Sequence, residues 1–209
     1  MNQLALRTSL DWYWYTGALG VRVMRWLPLV GGLMLAAGGA QAQGLVGPFE
    51  PRQISAERWT ESFSLIADLA GGVFLKVNQV VSNVGLGDGK AACRIVLQRP
   101  GAESKSWSDD FGDDWSFDPL AKSLRTGTCK VTNGPDGVRV EAQIEEVKVA
   151  IAYGSRARLV VSPEGVLSDG EAFYEYDVVV PWSTVEVQIE TAGKVEKLVG
   201  FGFSDHSRA

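Results

Sequence analysis

The sequence predicts an all-β protein, an antiparallel barrel or strongly curved sandwich, and three observations predict it. Beyond residue 50, apolar and polar residues alternate in short runs, the period of a half-buried strand. Turn-forming clusters separate these runs at the spacing of about 8 to 12 residues expected of a sandwich or barrel. No stretch sustains the period of an amphipathic helix. About eight to ten candidate strands result, enough for a barrel that holds one small ligand.

In RWTESFSLIADLAGG, Trp59, Phe63 and Leu65 share one face of a strand while Thr60, Ser62 and Ser64 share the other. The following GLGDGKAA imitates a phosphate loop but fails it. Position 84 is Val where Gly is required, and Ala91 follows Lys90 where Ser or Thr is required. A hairpin between SNVG and AACRIVLQ is the expectation there. GAESKSWSDDFGDDWSFDP is the least strand-like stretch and reads as a lid or barrel-mouth loop carrying Trp107 and Trp115. Its acids Asp109, Asp110, Asp113 and Asp114 match no calcium-loop spacing and read as a solvated acidic loop. DGVRVEAQIEEVKVAIAY follows the turn NGPDG. Its apolar parity passes from Val138, Val140, Ala142 and Ile144 to Val147, Val149 and Ile151, which predicts a bulge or bend near Glu145. After SPEGVLSDG comes the strand EAFYEYDVVVPWSTVEVQIE, and the turn TAGK leads into VEKLVGFGFSD.

The 209 residues carry 20 basic against 25 acidic side chains, with 45% apolar residues, the balance of an ordinary globular chain. A net charge of -5 without a basic stripe excludes a nucleic-acid grip. From Met24, MRWLPLVGGLMLAAGGAQAQG has one basic residue, an uncharged stretch and Ala40-Gln41-Ala42 before Gln43. That is the pattern of a secretory signal, which makes residues 1–42 a signal region, Met24 the candidate true start, and the destination secreted or periplasmic. Residues 43–57 then read as a linker and 58–209 as one domain.

Export meets an oxidising compartment, so Cys93 and Cys129 either form one disulfide or remain as two buried thiols; spacing alone leaves both open. Two Cys and one His supply no metal site, and no cofactor motif is present. With no nucleophile elbow and a single His, a hydrolytic triad has no basis. What remains is Asp205 next to His206, either an acid–base pair or a structural pair closing the last strand.

Four stretches, VVSNVGLGDGKAACR, DDWSFDP, YEYDVVVPWS and GFGFSDHSR, resemble the lipocalin-like superfamily of the fungal oxidative-stress survival factor, the AttH proteins and the carotenoid 1,2-hydratases. The resemblance spans about residues 58–208. It sets Asp205 and His206 on the D-H pair and Pro181-Trp182 on the P-W element of that group. It implies a lipocalin-like barrel, the first of two in tandem, with a second barrel expected C-terminally as partner.

The expected function is an exported module that binds a hydrophobic small molecule such as a lipid or carotenoid, with Trp59, Trp107, Trp115 and Trp182 as candidate lining residues. The alternative is a hydratase or isomerase acting on an apolar isoprenoid. There Asp205 is the proton donor and His206 its orienting partner.

Overall fold

The computed structural model describes residues 47–52, 58–84, 88–157, 166–169 and 172–209, without the side chains of 166–169 and 172–173. The signal region lies outside the described residues. Twelve strands form among them: β1 (Thr60–Leu69), β2 (Val73–Ser82), β3 (Lys90–Gln98), β4 (Lys105–Gly112), β5 (Trp115–Asp118), β6 (Ser123–Thr126), β7 (Cys129–Gly134), β8 (Gly137–Ile144), β9 (Val147–Tyr153), β10 (Val166–Asp169), β11 (Ala172–Thr191) and β12 (Lys194–Arg208). A single 3-10 turn, Ala70–Gly72, joins β1 to β2. Eleven strands follow one antiparallel path, β4-β3-β2-β1-β12-β11-β9-β8-β7-β6-β5, and β10 pairs with β11 beside it. The result is a nearly closed antiparallel barrel, as the alternation predicts.

Closure uses the stretch read above as a loop. Ten antiparallel steps separate β4 from β5, so the two run in the same sense with only Asp113 and Asp114 between them. They act as one bent strand that pairs with β3 through its first part and β6 through its second. The expected lid is therefore barrel wall. Its alternation is hidden because β4 carries Ser106, Ser108, Asp109 and Asp110 on exposed positions and buries only Trp107. The acids are not merely solvated either: Asp113 pairs with Lys90 and Asp114 with Arg125, each at 2.7 Å. No acidic or mixed metal-binding cluster occurs among the described residues.

Several contacts pin this seam. The Trp115 indole N–H donates to the Gly89 carbonyl at 2.6 Å, and the Gly127 N–H to the Asp114 carbonyl at 2.7 Å. Gly127 has φ 54°, and a β-carbon there would collide with the Phe111 ring, so only glycine serves. Inside the barrel Cys93 of β3 is disulfide-bonded to Cys129 of β7, settling the alternative left open by spacing. Beside it the Gln79 amide donates to Thr126 Oγ1 and to the Cys129 carbonyl, both at 3.0 Å.

The parity change near Glu145 is a hairpin and not a bulge. β8 ends at Ile144, β9 begins at Val147, and Glu145 takes the turn with φ 51°. The inner faces carry the expected apolar residues, including Phe63, Leu65, Leu75, Ile95, Leu124, Ile151 and Ile189, all fully buried. Each such side chain contributes roughly 1.5–3 kcal/mol. In the GFGF segment Gly202 faces inward beneath Tyr153, whose hydroxyl donates to the Ile66 carbonyl at 3.0 Å; a β-carbon at Gly202 would press on that ring. Burial pushes the Tyr153 hydroxyl well above the usual tyrosine range.

Candidate functional site

Consecutive strand residues point to opposite faces, and this divides the predicted pair. On β12, His206 lies across from the inward Phe63 of β1, while Asp205 lies across from the outward Ser64. The two side chains therefore enter different environments.

His206 is buried at one mouth of the barrel, and its Nε2 lies 2.7 Å from Glu61 Oε2. Its ring stacks on Phe63 with centroids 4.2 Å apart. The other Glu61 oxygen accepts the Arg52 backbone N–H at 2.7 Å. The Arg52 guanidinium lies 3.5 Å from Glu175 and 3.2 Å from Asp177, and Arg208 also pairs with Glu175. The strap that brings Arg52 here, Gly47–Arg52, falls in the stretch read as linker. Its Glu50 N–H donates to the Gly47 carbonyl at 3.0 Å, and Phe49 is buried with its ring 6.4 Å from Phe63. A buried imidazole–carboxylate dyad can pass a proton, yet the strap shields this one from solvent.

Asp205 is also buried, 6% exposed, on the outer face. Burial raises its carboxyl above the ordinary aspartate range, against the hydrogen bonds of Ser64 and Tyr176 and the charge of Lys76. The Tyr176 hydroxyl is raised in turn, by burial first and then by Asp205. From Asp205 an apolar strip runs along the outward positions of β12 through Phe203, Phe201 and Val199, and Lys197 separates it from Val195. Register shifts between Val178 and Val180 and between Val180 and Ser183 bulge β11 outward, so that Trp182 leaves the wall and stacks on Phe201 at 5.3 Å. Trp182, Val195, Val199 and Phe201 are four of the seven exposed large apolar side chains among the described residues, and Trp182 and Phe201 are in contact. A groove of 480 Å³ reaches the strip at Val199, lined also by Arg139, Ala150, Ala152 and Lys197.

The four predicted tryptophans do not form one site. Trp59 is fully buried against Val81, Ala91 and Trp115. Trp107 belongs to the main core, and its indole donates to Glu146 at 3.1 Å. Only Trp182 stands 60% exposed. Sequence reasoning missed Glu61, Arg52, Glu175 and Asp177. Glu61 left a trace, because it is a carboxylate on the parity of Trp59, Phe63 and Leu65, where a core residue is expected.

Comparison with known proteins places the barrel. Neither a protein-family model nor a curated protein matches the chain. Among solved structures, a candidate AttH protein of Nitrosomonas europaea aligns over 75% of this chain and 52% of its own, with a TM-score of 0.55 at 12% identity. The chain shares the barrel fold of that structure. Kievitone hydratase of Nectria haematococca aligns over 70% of this chain and 47% of its own, with a TM-score of 0.49 at 12% identity. Only the first comparison bears on fold, and at this identity neither bears on activity. The chain spans about half the length of the solved structures it resembles.

Proposed function

We propose that this lipocalin-like barrel binds an apolar small molecule on its outer face, along the strip from Trp182 and Phe201 to Asp205. The observation that carries this reading is the Trp182–Phe201 stack, two large aromatic side chains held outside a barrel whose inner faces are filled with aliphatic and aromatic residues. Exposed apolar surface beside a groove is what an apolar ligand or a covering domain requires. A second barrel following this one covers the strip and excludes water from the ligand; the half-length alignment to the AttH structure supports that arrangement. Residues 1–42 direct the chain to a secreted or periplasmic location, which the Cys93–Cys129 disulfide fits.

Titration with the fluorescent polyene parinaric acid tests the reading. Saturable binding should weaken at least about tenfold, or about 1.4 kcal/mol, in Trp182→Ala/Phe201→Ala. Equal binding by the variant and the unaltered chain would refute it.

A second reading adds chemistry to the same strip. A buried carboxyl whose protonated form burial favours can, beside aromatic faces, protonate an alkene carbon; water then captures the cation and returns a proton to the carboxylate. The raised Asp205 favours this reading. Under it, Asp205→Asn keeps binding and loses turnover of an isoprenoid alkene.

A further inference from the structure

The mouth of the barrel holds three carboxylates, Glu61, Glu175 and Asp177, whose side chains are 0%, 16% and 2% exposed. Apart from Arg52, the only guanidinium paired with any of them among the described residues is Arg208, on Glu175. Buried negative charge of this kind is costly unless a cation matches it. Glu61 lies against His206, and for Asp177 and Glu175 the strap brings a guanidinium. Arg52 reaches the carboxylates, and three residues earlier Phe49 enters the apolar layer against Phe63.

The fit of this internal ligand is incomplete. The guanidinium lies within ion-pair distance of Asp177 but makes no aligned hydrogen bond through Nη2 or Nε, and Asp177 Oδ1 and His206 Nδ1 are buried without partners among the described residues. Arginine normally meets carboxylates through two parallel, aligned hydrogen bonds. An occupant that leaves such bonds unmade can be displaced by one that makes them.

We propose that Glu175 and Asp177, with Phe63 beneath them, form a binding site for a small arylalkyl guanidinium, which Phe49 and Arg52 of the Gly47–Arg52 strap occupy as a removable internal ligand. The ring of the external ligand replaces Phe49 over Phe63, and its guanidinium replaces Arg52 between Asp177 and Glu175. This site is on the inner face and independent of the strip around Trp182.

The probe is phenethylguanidine. In Phe49→Ala/Arg52→Ala it should bind saturably and raise Tm by about 3 °C at ten times its Kd. Binding should be at least about tenfold weaker in the unaltered protein, where the strap competes. Adding Asp177→Asn to the double variant should abolish it. Absence of binding to the double variant, or binding that survives Asp177→Asn, overturns the proposal. Should the double variant fail to fold, hydrogen exchange on the unaltered chain decides. Phenethylguanidine should accelerate exchange of the Arg52 N–H as the strap leaves Glu61, and no acceleration at saturating probe counts against the site.

Discussion

Asp205 and His206 are neighbours in the chain and members of opposite worlds. On the inner face His206 is locked between Glu61 and Phe63, in a layer continuing through Gln79 to the Cys93–Cys129 bridge. On the outer face Asp205 heads a strip whose aromatic members stand in the open. On the inner side Glu61, His206 Nε2 and the Gln79 amide N–H hold partners whose loss in the core is expensive, so altering them should cost stability. Outer apolar groups already face water, so altering them should cost binding and little else.

The largest effect expected on the inner side comes from removing the bridge. Cys93→Ser/Cys129→Ser opens a link between residues 36 apart in sequence and should cost about 4 kcal/mol by the chain-entropy relation, read by urea denaturation. Glu61→Ala comes next. It strands His206 Nε2 and the Arg52 N–H in a buried layer and should cost about 3 kcal/mol while leaving parinaric acid binding intact. A cost under about 1 kcal/mol would mean that the mouth is looser than the distances indicate.

Asp205→Asn should show its effect as a pH dependence. A carboxyl raised by folding favours the folded state below the ordinary aspartate pKa, and that advantage is lost as pH rises through the folded value. Asparagine has no such titration. The unaltered protein should therefore lose stability relative to Asp205→Asn as pH climbs through that window, and a difference that is flat with pH would remove the case for a raised Asp205. The smallest effect on stability belongs to Trp182→Ala, within about 0.5 kcal/mol, because the side chain is mostly exposed.

The division between faces also explains what the sequence could disclose. Strands such as β1, β8 and β9 were legible because one face is apolar and the other polar. β4 and β5 were not, since β4 buries Trp107 alone among charged and small residues and β5, with Trp115 and Phe117 half-buried on the core, is only four residues long. Adjacent letters made Asp205 and His206 look like a pair, whereas strand geometry separates them. The partner of His206 lies 145 residues away, and only the misplaced charge of Glu61 on an apolar parity hinted at it. The Trp182 projection depends on two register shifts in β11, which side-chain periodicity does not encode.

A pair of double-mutant cycles in urea tests the separation most directly. Glu61→Gln with His206→Gln should show a coupling above about 1.5 kcal/mol, because the two share a buried hydrogen bond. Asp205→Asn with His206→Gln should be additive within about 0.5 kcal/mol, as expected of groups on opposite faces. Strong coupling between Asp205 and His206, with none between Glu61 and His206, would contradict the account and restore the adjacent residues as a single working pair.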